Sequence, residues 1–105
     1  MKTIWKYQIP PQDFITIEMP KNAKILSFHT QNDIPCIWVL VNSDAPKEPR
    51  TLLLRGTGHP IKIASECLKY IGSTLMMNDS LVWHLFEWIN LRKTIFKEEE
   101  VKANE

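Results

Sequence analysis

Leu52-Leu53-Leu54-Arg55-Gly56-Thr57-Gly58-His59-Pro60-Ile61 divides the chain, because an apolar run ends there in a bend holding two of the three glycines among 105 residues. The residues before it read as strands, and those after it restart the pattern. Glycine tolerates positive φ and lets another group approach the backbone closely, so Gly56 and Gly58 around Thr57 can turn successive N–H groups towards an anion. On that reading the bend is a nest. The competing reading is a plain strand-ending turn closed by Pro60. Gly-Thr-Gly lacks the Gly-Lys-Ser/Thr ending of a P-loop and no clear helix comes directly after it, so neither a P-loop nor a dinucleotide fingerprint is present.

Upstream, Trp5, Tyr7 and Ile9 alternate with Lys6 and Gln8, the period of a half-buried strand, until Pro10-Pro11 stops it. A second strand, Phe14 to Met19, ends at Pro20-Lys21-Asn22. Lys24 to Thr30 and Cys36 to Val41 make a third and a fourth, joined by the turn-prone Gln31-Asn32-Asp33-Ile34-Pro35. Six consecutive apolar residues in the fourth leave no solvent face, which predicts a central strand covered on both sides. Asn42 to Pro49 reads as a mobile polar loop. Arg50 to Arg55 is the fifth strand.

Downstream, Ile61 to Ile71 reads as either helix or strand: Ile61, Ala64, Cys67, Leu68 and Ile71 can share one helical face, with a short helix beginning near Ser65. Tyr70 to Met77 and Leu81 to Glu87 read as a closing hairpin around Asn78-Asp79-Ser80. The period then changes: Trp88, Leu91, Arg92 and Ile95 fall at helical spacing. The fold class expected is therefore mainly β, an antiparallel sandwich or partly open barrel of about seven strands with a short C-terminal helix. A single β-rich domain is placed at 1–97, with the helix at about 88–97 and a frayed acidic tail at 98–105.

Hydrophobic residues make up 44% and charged residues 24%, a globular composition, and the net charge of +1 supplies no global field for nucleic acid or anionic lipid. No stretch reaches membrane-spanning length and no leader pattern is visible at the N terminus, so the expectation is a soluble protein of the cytoplasm, with no membrane and no duplex nucleic acid as partner. Cys36 and Cys67 are single, without a CxxC pair, and read as buried free thiols.

A resemblance rests on Thr3-Ile4-Trp5-Lys6-Tyr7, Ile17-Glu18-Met19-Pro20-Lys21 and Ala23-Lys24-Ile25-Leu26-Ser27, followed by Gly56-Thr57-Gly58-His59-Pro60-Ile61, Tyr70-Ile71-Gly72 and Leu81-Val82-Trp83-His84-Leu85-Phe86-Glu87. Together these resemble a family of small uncharacterised domains of tailed phages, prophages and bacteria, over about residues 1 to 87, with 88–105 extending past the usual ending. The resemblance implies a phage or prophage setting, in which small accessory proteins bind and disable host machinery. It carries no established activity.

Chemistry is sparse. His29, His59 and His84 share no metal-ligand spacing with each other, and no metal or cofactor is expected. Thr57 beside His59 is the local candidate for a nucleophile and base, without a nucleophile-elbow sequence, and His84 reads as structural. The ligand-binding candidates are Arg55, Gly56, Thr57, Gly58 and His59, where an arginine fork and backbone N–H groups would hold phosphate. Trp38 and Trp83 read as core, whereas Trp5 and Trp88, with Leu91 and Ile95, are candidates for a partner surface. Three functions remain open. The leading one is a non-enzymatic phage or prophage accessory protein that sequesters a small phosphorylated, nucleotide-type signal of host defence, completed by homo-oligomerisation. The alternatives are a protein-binding inhibitor of a host defence complex and a small enzyme acting on a phosphorylated ligand through His59.

Overall fold

A computed structural model describes residues 1–89 of the chain. Seven strands, β1 (Lys2–Gln8), β2 (Phe14–Pro20), β3 (Lys24–Gln31), β4 (Ile34–Asn42), β5 (Lys47–Gly56), β6 (Leu68–Met76) and β7 (Leu81–Trp88), form two antiparallel sheets. One sheet has the order β1-β4-β3 and the other β2-β5-β7-β6. The two stack as a sandwich, and no closed barrel forms.

The alternation of β1 decides which way it faces. Trp5 and Tyr7 pair with Val39 and Ile37 on the inner side, while Lys6 points outward and donates to Gln31 Oε1 at 2.7 Å. Ile15, Phe28, Ile37, Val39, Leu52, Leu54 and Leu85 fill the space between the sheets. Burying each such side chain stabilises the fold by roughly 1.5–3 kcal/mol. The edges of β3 and β6 also meet: Thr30 N–H donates to Thr74 Oγ1 at 3.0 Å, and the Thr30 hydroxyl donates to the Leu75 carbonyl at 3.1 Å.

Four expectations change. β4 is central in its sheet, but among the described residues its outer side is covered only in part: Cys36 is buried, whereas Trp38 and Leu40 are half-buried beside Ile4, which is 55% exposed. The loop expected over Asn42 to Pro49 shrinks, because Lys47, Glu48 and Pro49 pair with Pro20, Met19 and Glu18 of β2. Pro49 is tolerated where β5 has not yet gained β7 as its second neighbour, a pairing that begins at Leu52. The third change falls in the turn-prone Gln31 to Pro35 segment. It tightens to Asn32 and Asp33, both at positive φ, so Ile34 and Pro35 join β4.

The helix expected from Ser65 is the fourth. It is a single 3-10 turn, Ser65–Cys67, after which Leu68 to Ile71 belong to β6. Only Cys67 of that turn is buried, so there is no apolar stripe for a longer helix to bury, while pairing with β7 satisfies the β6 backbone. Trp88 closes β7; the rest of the helix expected at about 88–97, and the tail at 98–105, lie outside the described residues apart from Ile89. Cys36 and Cys67 are both buried and free. No helix among the described residues is long and apolar enough to cross a membrane.

Candidate functional site

The glycine bend closes on itself. His59 N–H donates to the Gly56 carbonyl at 3.0 Å, Thr57 N–H donates to the Val82 carbonyl at 3.3 Å, and Gly56 N–H donates to His59 Nδ1 at 3.2 Å. Those three groups are therefore turned inward and do not converge on an anion. Gly58 sits at φ 89, which explains a glycine there. Gly56 is favoured for a different reason, since a Cβ at that position would lie 2.8 Å from His59 Cε1 and displace the ring.

Arg55 is committed elsewhere. Its side chain is buried on the outer side of its sheet, where Nε donates to the Pro60 carbonyl at 3.2 Å and Nη1 to the carbonyls of Asp13 and Leu54 at 3.1 and 3.0 Å. Asp13 Oδ1 lies 3.5 Å from Nη1, and the guanidinium carbon stands 5.2 Å from the Phe14 ring centroid. The fork brackets the segment before β2 and the segment after the bend. The hydrogen bonds of the Arg55 guanidinium thus go to backbone carbonyls and not to the side chains of Thr57 and His59.

Thr57 meets a histidine other than the one its sequence position suggests: its Oγ1 is 2.7 Å from His84 Nε2 on β7. His59 instead turns its ring towards Trp83, with centroids 6.3 Å apart in an edge arrangement. Gly56, Thr57, His59 and Ser80 line a niche of about 190 Å³ against Leu81, Val82 and Trp83.

Leu81 and Trp83 also form a wall of a much larger cleft, about 600 Å³, at the hairpin end of the sandwich. Ile9, Pro10, Pro35, Leu54 and Met76 supply most of its apolar lining, with Gln8 and Asp33 as polar groups. Among the described residues no lysine or arginine lines the niche or the cleft. Residues from strand exits and both hairpins build the cleft, and its one legible signal was the cluster of prolines at strand ends. Trp83, read as core, packs against the core with one side and faces this opening with the other.

The partner-surface candidates are dispersed. Trp5 faces inward and packs against the core. Trp88 stacks at a tilt on Phe14, 5.2 Å between centroids, and its buried Nε1 meets no acceptor among the described residues. Leu91 and Ile95 lie outside the described residues. Trp38, read as core, stands on the outer face with His29 6.0 Å away. Among the described residues no group of His, Cys, Asp and Glu is arranged to hold a metal ion.

The chain belongs to the family described as Domain of unknown function (DUF7352), whose model matches residues 1–95. The match runs beyond the ending expected near residue 87, so most of the 88–97 segment is part of the family domain. No curated protein and no solved structure matches the chain.

Proposed function

We propose that this member of the family is a non-enzymatic accessory protein that works by binding, and that its ligand is a predominantly apolar small molecule seated in the cleft at the hairpin end of the sandwich. The observation that carries this reading is the cleft itself. Its volume of about 600 Å³ suits a small organic ligand, and among the described residues its mostly apolar walls carry Gln8 and Asp33 as polar side chains, with the indole of Trp83. Small-molecule sites typically have this character, an apolar hollow of about 300–1,000 Å³ with few polar groups.

The phosphorylated ligand expected from the bend finds less support. A phosphate needs counter-charge or converging N–H donors, and the bend turns the Gly56, Thr57 and His59 N–H groups inward while Arg55 is held by carbonyls. The sequestering role in a phage or prophage, acting in the host cytoplasm against a defence signal, stays part of the proposal. What the geometry changes is the ligand's chemistry.

Titration with N-phenylnaphthylamine, a neutral apolar fluorophore, tests it. Saturable binding to one site is expected, with quenching of Trp83, weakened about tenfold or more by Leu81→Arg, as for placing a charge in an apolar site. Ile4→Arg, on the outer face of the other sheet, is expected to leave binding unchanged. Binding that ignores Leu81→Arg, or calorimetric heat from nucleotides that the fluorophore does not displace, would reject the cleft as the site.

A further inference from the structure

Thr57, His84, Ser73 and Tyr70 arrive from three separate segments and make a continuous chain of hydrogen bonds on the outer side of the four-stranded sheet. Ser73 is the cross-strand partner of His84, and Arg55, two residues before Thr57, is its partner on the other side. The Thr57 N–H bond to the Val82 carbonyl then brings the hydroxyl back over the imidazole. Thr57 Oγ1 lies 2.7 Å from Nε2, Ser73 Oγ lies 2.7 Å from Nδ1, and Tyr70 Oη lies 2.8 Å from Ser73 Oγ.

A neutral imidazole has one donor nitrogen and one acceptor nitrogen. When Nδ1 carries the proton, it donates to Ser73, Ser73 donates to Tyr70, and the Thr57 hydroxyl donates to Nε2. That tautomer puts a hydroxyl nucleophile on a base whose far nitrogen is held by an orienting group. Thr57 is exposed, the niche of about 190 Å³ opens beside it, and a Cβ built on the next residue, Gly58, would meet nothing within 4 Å. Thr57 is thus a residue that a small reagent can reach from solvent.

We infer that Thr57 is a nucleophile activated by His84, and that the bend takes an acyl group from an activated carboxylic ester with a short acyl chain. Thr57 gives its hydroxyl proton to Nε2 as its oxygen bonds to the ester carbonyl carbon. The bond from that carbon to the leaving oxygen breaks, and the leaving oxygen takes the proton from Nε2. The acyl-threonine is the product, one self-modification per chain without turnover. Ser73 is a positioning residue. Its hydroxyl supports the imidazolium less than a carboxylate would, so acylation is the step to read. The niche limits the acyl group in size. This inference stands apart from the binding reading, which needs no covalent step.

The test is incubation of the full chain with p-nitrophenyl acetate, monitoring nitrophenolate release and mapping the acetyl group by peptide mass spectrometry. Acetylation of Thr57 is expected; it disappears in Thr57→Val and slows about a hundredfold in His84→Gln, as for loss of a general base. Thr57→Ser keeps the reaction, which guards against misfolding as the cause. Ser73→Asp is expected to speed it and to move its pH–rate profile to higher pH, a change that a merely structural serine would not produce. Acetyl groups confined to lysines and the amino terminus, at rates unchanged in Thr57→Val and His84→Gln, overturn the inference.

Discussion

Arg50 on β5 and Glu87 on β7 face each other between the sheets as a bidentate pair: Nη2 donates to Oε1 at 2.9 Å and Nε donates to Oε2. Arg50 Nη1 also donates to the Ala23 carbonyl at 2.8 Å, which ties the pair to the β2–β3 connection. The Glu87 carboxylate holds the guanidinium above its ordinary range, against the opposing effect of burial.

Breaking this pair from one side leaves a partly buried charge without a partner. Arg50→Met or Glu87→Leu is expected to cost about 3 kcal/mol, the lower end of the range for buried pairs because both side chains keep some contact with water. The double variant Arg50→Met/Glu87→Leu is expected to recover most of that, since removing both charges also removes their desolvation cost. Urea unfolding of the three variants checks it. A folded-state pKa raised above an already high unfolded one gives stability that is present below the unfolded value and lost only as pH rises past the folded one. The Arg50 contribution is thus constant across the neutral range and fades only in strong alkali.

Tyr7 supplies the earlier alkaline transition. Partial burial on the inner face raises its pKa above 10.0, because the phenolate loses part of its hydration there. The unfolded chain ionises first, so stability falls once pH passes about 10 and continues to fall until Tyr7 itself ionises. Tyr7→Phe is expected to flatten that fall. Thermal unfolding of both proteins across the alkaline range gives the comparison.

The three glycines separate by cause. Gly58→Ala forces a side chain to φ 89 and is expected to cost about 1–2 kcal/mol. Gly56→Ala drives the His59 ring from its place and breaks the bond to Nδ1, for about 1 kcal/mol. Gly72→Ala meets Phe28 Cβ at 3.6 Å, an ordinary contact, and is expected to stay within about 0.5 kcal/mol of the parent. Chemical denaturation ranks them, and a loss at Gly72 equal to that at Gly58 would contradict the φ argument.

Period-two alternation made β1 and β2 legible, and the apolar run made β4 legibly central, because those signals depend only on neighbours along the chain. Ile61 to Ile71 defeated the same approach. Its spacing fits a helix as well as a strand, and pairing with β7, a non-local event, carries the strand read from Tyr70 onward back to Leu68. The bend shows the same limit in its chemistry. Sequence proximity suggested that Arg55 and His59 would act with Thr57, but side-chain direction sends Arg55 under Pro60 and Asp13, and the histidine that meets Thr57 is His84. Beyond the prolines at strand ends the cleft left no signal, for the related reason that its walls come from strand exits and turns far apart in the chain.

The two hairpin tips that frame the cleft are tied by one bond, from Met77 N–H to Asp33 Oδ1 at 2.9 Å. Asp33 also sits at φ 60, a conformation that aspartate, asparagine and glycine accept more readily than other residues. These two roles can be separated. Asp33→Asn keeps both the acceptor and the turn and is expected to change stability by no more than about 0.5 kcal/mol. Asp33→Gly suits the turn but removes the acceptor, so its global stability is expected to fall by only about 1 kcal/mol, the worth of one hydrogen bond. Asp33→Ala loses the acceptor and strains the turn, for about 2 kcal/mol in all. Hydrogen exchange at the Met77 amide then reports the tie itself. Protection is expected to survive in Asp33→Asn and to drop sharply in Asp33→Gly, more than the small global loss accounts for, because the β6–β7 tip opens locally. Equal protection in the Asn and Gly variants would show that the tip is held by the turn and not by Asp33, and the cleft would then lack the brace assigned to it.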